Sequence, residues 1–134
     1  MIGEYKLAKR PHGFRAMFYA RVLVEVEYFD GESTAIDVTM EQPINRNAGE
    51  VTSQTHSDWI DAAIEGAKQA LQYLKQKEPT NNYSVKIAKV MGIEVDTTPD
   101  TVRAASSLAT WKAIVPDLPE PELAFDNGWF VNFH

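Results

Sequence analysis

The stretch "VLVEVEYFDGESTAIDVTM", residues 22–40, decides how this chain folds. Val22, Val24 and Val26 fall on one parity; Leu23, Glu25 and Glu27 fall on the other. A period of two is the mark of a strand with one buried face. The alternation runs back through Phe14, Ala16, Phe18 and Ala20, so the strand is long. After Asp30-Gly31, a turn signal, Thr34, Ile36, Val38 and Met40 alternate again. A two-residue loop mixes the faces, whereas a longer one pairs Val26 with Ile36, Val24 with Val38 and Val22 with Met40. A slip of one residue turns a whole strand over, so the apolar match selects the longer loop. That register predicts Glu25 opposite Asp37, two like charges side by side on the face away from the core.

Outward from this hairpin, "EQPINRNAGEVTSQTH", residues 41–56, has no period and reads as a polar loop of functional length. "SDWIDAAIEGAKQALQYLKQK" is a helix: Ser57 or Asp58 caps it, and Ile60, Ala63, Ile64, Ala67, Leu71 and Leu74 share a face. "YSVKIAKVMGIEV" is a third strand. A second helix follows, capped by Thr98 with Pro99 in its first turn, and Ala105, Leu108, Ala109 and Lys112 are spaced for one face, widened by Trp111 and Val115. "PDLPEPEL" is a proline-rich connector, and Trp129, Val131 and Phe133 share a parity in an aromatic tail that turns at Asp126-Asn127-Gly128. The fold class predicted is α+β. It is one two-layer sandwich over residues 1–134, ordered strand-strand-helix-strand-helix with a short C-terminal aromatic strand. Both helices lie on one face of a small mixed sheet. Residues 1–12 read as a basic arm and 116–134 as connector and tail.

The helical and third-strand segments, "IDAAIEGAKQALQ" and "YSVKIAKVMGIEVDTTPDTVRAASSLATWKAI", resemble domain IV of translation elongation factor G over about residues 57–115. The residues that carry the likeness are Ala63, Ile64, Gly66, Ala67, Ala70 and Leu71. They are followed by Val95, Asp96, Thr97 and Thr98 opening a helix, then Ala104, Ala105 and Ala109. The resemblance implies an α+β fold and a translation-associated protein that contacts ribosome or RNA. The phosphate contacts would then be Lys6, Lys9, Arg10 and Arg15.

The 134 residues carry a net charge of −6, no cysteine, and 44% hydrophobic residues. That composition is globular, excludes disulfides and thiolate metal sites, and suits the cytoplasm. No apolar run reaches the ~18 residues of a membrane span. Residues 1–21 hold five basic groups and one acid, +4, which leaves −10 for the rest. An acidic chain of this kind meets nucleic acid only through its basic arm. Chemistry is poorly supplied. His56, Ser57 and Asp58 are chain neighbours and so point apart. Asp58, Asp61 and Glu65 read as a solvated helix stripe, and no phosphate loop or dinucleotide fingerprint is present. No catalytic residue, metal or cofactor is expected.

The expected function is therefore a non-enzymatic cytoplasmic binding protein of immunity, inhibitor or adaptor type. It engages a basic protein partner through an acidic sheet face, with Glu25, Glu27, Asp37, Trp129 and Phe130 as contacts. A ribosome- or RNA-associated role is the alternative, and an enzyme with its site in the 41–56 loop a third.

Overall fold

The structure is a computed structural model describing residues 1–29, 37–40, 55–77, 82–93 and 95–133, with backbone alone at 29 and 37–40. Its elements are β1 (Ile2–Lys9), β2 (Phe18–Phe29), β3 (Asp37–Met40), α1 (Ser57–Lys77), β4 (Asn82–Met91), α2 (Pro99–Ile114), β5 (Glu122–Phe125) and β6 (Trp129–Asn132). The first four strands form one mixed sheet in the order β1-β2-β4-β3. β1, β2 and β4 run antiparallel, and β3 runs parallel to β4. β5 and β6 make a separate antiparallel hairpin. The α+β class and the small mixed sheet expected from the sequence are both present.

The expected hairpin between the long strand and residues 34–40 is not. β4 lies between them: Val24 pairs with Ile87 and Gly3, and Val38 pairs with Val85. The reason is backbone satisfaction. β2 is 12 residues long and needs partners on both edges; β1 (8 residues) and β4 (10 residues) supply them, whereas β3 offers only 4. A short strand belongs at the edge, where few unpaired amides are left to solvent. Because β3 and β4 are parallel neighbours, the chain must cross over between them, and α1 is the crossover. The turn at Asp30-Gly31 lies outside the described residues.

Two further expectations change. Residues 2–9 are not an arm but the strand β1, with Leu7 fully buried and Glu4, Lys6 and Ala8 on the opposite side. Phe14 to Met17 stand outside β2, in a turn where the Phe14 amide donates to Pro11 O at 3.0 Å.

Both helices cover the same side of the sheet, α2 over β1 and β2, α1 beside it over β4 and β3. Val22, Val24, Val26, Val85, Ile87 and Val90 rise from the strands into this layer, all essentially without exposure. Ile60, Ala63, Ala67 and Leu71 of the expected α1 face are buried; Ile64 and Leu74 are half-buried. α2 departs from its expected single face. Every residue from Thr101 to Trp111 except Arg103 is buried, because sheet, α1 and β6 surround it. Two of its buried hydroxyls find partners across the helix pair. Ser106 Oγ donates to Ala63 O at 2.5 Å and Ser107 Oγ to Gly66 O at 2.7 Å, so these two buried polar atoms are satisfied.

Thr98 is the N-cap of α2, but its side chain makes no bond to the helix backbone. Its hydroxyl donates instead to Asp100 Oδ1 at 2.7 Å, and Asp100 Oδ2 accepts the Trp129 amide at 2.6 Å. One first-turn carboxylate, well placed for the helix dipole, thus pins the C-terminal hairpin to the helix. Asp100→Ala removes a charge-assisted bond to a partly buried amide, a loss of about 2 kcal/mol. Urea denaturation should report that fall, together with a changed near-ultraviolet signal from Trp129.

Candidate partner-binding face

Since both helices lie on one side, the other face of the sheet is uncovered. The strand pleat puts alternate residues there. The register aligns them in rows. Glu27 and Asp37 flank Ser84 from either side. Ile2, Glu25, Lys86 and Thr39 form the next row, then Glu4, Leu23 and Lys89, then Lys6, Arg21 and Met91, and last Ala8 and Tyr19. Between Val24 and Leu23 the β4 partner jumps from Ile87 to Lys89, leaving Ala88 as the extra residue. This bulge resets the alternation of β4. It brings Lys86 and Lys89 to the same face although they are three apart.

The rows correct the expected acidic pair. Glu25 does not face Asp37. It faces Lys86, whose Nζ stands 2.9 Å from Glu25 Oε2. Glu27 is exposed, and Asp37 holds a register position two strands away from it, roughly 10 Å. Like charges are therefore not opposed, and the ladder has no repulsion to relieve. Arg21 Nη2 donates to both oxygens of Glu4, at 2.9 and 3.0 Å. That hydrogen bond, with the carboxylate's charge, raises the guanidinium further above its already high range. Both pairs are more than 40% exposed, so solvent screens them and they add little to stability. Their effect is to cancel charge in the middle of the face.

What remains uncancelled is graded along the strands. At one end stands Glu27, whose row also holds the register position of Asp37. At the other stand Lys6 and Lys89, which make no ion pair among the described residues, with exposed Lys9, Arg10 and Arg15 just beyond. The four residues expected to contact phosphate are thus gathered near one end, on β1 and the turn after it. Between the poles lie Ile2, 69% exposed, and the half-buried Leu23; half-buried Met91 shares the row of Lys6. Glu4, Arg21, Leu23, Lys89 and Met91 line a shallow cavity of about 140 Å³.

The aromatic contacts separate. Trp129 is 5% exposed and packs against Phe18 and Phe125, with ring centroids 6.1 and 5.0 Å away; it is core, not contact. Phe130 is 43% exposed. It rims a cavity of about 430 Å³ between α1 and β6, away from the sheet face, that also takes in Gln72, Gln76 and Arg103. The two aromatics therefore do not join Glu25 and Glu27 in one site.

His56 stacks on Trp59 at 4.1 Å, and Asp58 Oδ1 accepts the Trp59 amide at 3.0 Å. The Asp58 contact satisfies one of the first-turn amides of α1 that lack an intrahelical partner. Of the 41–56 loop only Thr55 and His56 are among the described residues. Within the described residues, no three His, Cys, Asp or Glu side chains stand close enough to hold a metal, and no helix is long and apolar enough to cross a membrane.

Lys86, Lys89 and Met91 are the residues of this face that sequence reasoning missed. Lys86 was readable from its alternation with Val85 and Ile87. Lys89 was not, because strict alternation from Lys86 turns it inward and only the bulge brings it back.

No protein-family model matches the chain, and no curated protein matches it. Among solved structures it is similar to the crystal structure of ttk003000868 from Thermus thermophilus, with 23% identity and a TM-score of 0.55. The match covers 83% of this chain and 15% of that one, so the chain spans a small part of that protein's length. The likeness shows the fold.

Proposed function

We propose that this chain is a non-enzymatic binding protein, of adaptor or inhibitor type, that docks a protein partner on the uncovered sheet face. One observation carries the reading: the uncovered face sets apolar Ile2, Leu23 and Met91 among two internally neutralised ion pairs, between ends of opposite sign. Charges placed in this way steer and orient a partner. The partner's basic surface meets Glu27 and Asp37, and a matching acidic surface meets Lys6 and Lys89. The proposed setting is the cytoplasm, as expected from the cysteine-free sequence.

The test is capture of partners from the native host with wild type, with Glu27→Ser/Asp37→Ser, and with Gln72→Ala on the helix side as control. A partner lost or slowed in association by the double variant alone, with a flatter salt dependence, supports the reading. A partner retained equally by all three would overturn it.

A second reading, contact with RNA or the ribosome, is favoured by the gathering of Lys6, Lys9, Arg10 and Arg15 near one end. It also follows from the resemblance to domain IV of elongation factor G. Ribosome co-sedimentation that disappears in Lys6→Gln/Lys9→Gln/Arg10→Gln/Arg15→Gln and weakens steeply with salt supports it. Salt-insensitive co-sedimentation of that variant removes it.

A further inference from the structure

We infer that the cavity between α1 and β6 binds an extended peptide segment, which adds as a third strand to the β5–β6 hairpin along the outer edge of β6. The site is separate from the sheet face, and the inference stands whether or not that face docks a partner.

The parity of the hairpin shows which backbone groups of β6 are free. The Asp126 amide donates to Gly128 O at 3.0 Å, just outside the Phe125–Trp129 pair. That bond makes Phe125–Trp129 a non-hydrogen-bonded pair, so Trp129 turns its amide and carbonyl away from β5. The Trp129 amide accordingly leaves the hairpin, for Asp100 Oδ2 at 2.6 Å. Two residues on, Val131 repeats the orientation. Its N–H and C=O point out from the hairpin, and no described residue takes them.

Val131 lines the cavity of about 430 Å³ that separates this edge from α1. The two ends of the edge are fixed. Asp100 of α2 holds Trp129, and Phe133 stacks on Tyr73 of α1 with ring centroids 5.1 Å apart. From Trp129 to Phe133 is four strand steps, about 14 Å. A segment of about three residues fits there, one strand spacing of ~4.8 Å from β6.

The far wall suits the other edge of such a segment. Gln69 donates to Glu65 Oε1 at 3.4 Å, and Arg103 Nη1 stands 3.7 Å from the same oxygen, so both are engaged. Exposed Gln72 and Gln76 are not: their amides make no hydrogen bond among the described residues. They sit one helical turn apart, ~5.4 Å along the axis, close to the ~6.8 Å at which a strand repeats its groups on one edge. Each side-chain amide offers both donors and an acceptor. A peptide backbone, with donors and acceptors on both edges, matches both walls at once, which is the logic of strand addition.

The register also sets the side chains. Bound antiparallel, one residue exchanges both bonds with Val131. Its side chain points to the Val131 side, toward the core, where Ala104 closes the cavity; a small residue fits best. Its two neighbours point to the Phe130 side, where the 43% exposed ring takes a β-branched partner.

The experiment is an amide NMR titration of the full chain with acetyl-Thr-Val-Ala-Val-Thr-amide, up to about 2 mM, against the same peptide N-methylated at Ala. Expected are saturable shifts at Phe130 and Val131. The N-methyl group removes the donor to Val131 O and should weaken binding about tenfold or more. Gln72→Ala/Gln76→Ala and Phe130→Ala, all at exposed positions, should each weaken it at least about threefold. Asp117→Asn, exposed in the connector, should bind as wild type does, and the amide spectra confirm that each variant folds. No shift at Val131 overturns the inference. Equal binding of the methylated peptide also overturns it, and assigns the cavity to a ligand held by side chains alone. Shifts confined to the rows of Glu27 and Lys6 overturn it too, because the peptide then lies on the sheet face.

Discussion

Gly66→Ala lowers the melting temperature by about 10 °C, against the usual direction for such a change. In an exposed helix interior the substitution stabilises by up to about 1 kcal/mol. Gly66 lies inside α1 where it crosses α2, and a Cβ there collides with Arg103 O, 3.0 Å from Arg103 C and 3.1 Å from Ser106 Cβ. Two of the three neighbours are backbone atoms, which cannot rotate aside. The helices must separate, and the Ser106–Ala63 and Ser107–Gly66 bonds lengthen with them. Overpacking costs about 1–3 kcal/mol and sometimes more; with backbone as the obstacle, about 3 kcal/mol is expected. That converts to roughly 10 °C in a domain of this size. Calorimetry measures it, and a variant that melts at or above the wild-type temperature rules out this helix contact.

Trp129→Ala destabilises by about 3–5 kcal/mol, whereas Phe130→Ala, one residue on, changes stability by less than about 0.5 kcal/mol. Trp129 fills the space between Phe18 and Phe125 under the hairpin and is 5% exposed; Phe130 points the other way and is 43% exposed. Parallel urea titrations of the two variants make the comparison. Equal, small losses would mean that the hairpin is not docked on α2. Because Trp129 holds the fold, loss of binding in its variant carries no information about an interface; Phe130 and the sheet residues do.

Where cause and effect lie within a short window, the sequence by itself determined the outcome. Helix spacing over 57–77, the proline after Thr98, the turn at Asp126-Asn127-Gly128 and the valine parity of residues 22–26 all act between neighbours. Each appears in the structure. β1 was also written there, in Gly3, Tyr5 and Leu7 alternating with Glu4 and Lys6.

Tertiary structure alone decided which strand lies beside which. Val24 matches Val38 as well on paper as it matches Ile87, because apolar pairing is permissive. The choice falls to ladder length and to the burial of both edges of β2, quantities that belong to the whole sheet. Glu25's change of neighbour, from Asp37 to Lys86, follows from that choice. So do the bulge that turns Lys89 outward and the enclosure of α2 on all sides. The charge pattern of the uncovered face is a consequence of strand order, and strand order is not a local property of any segment.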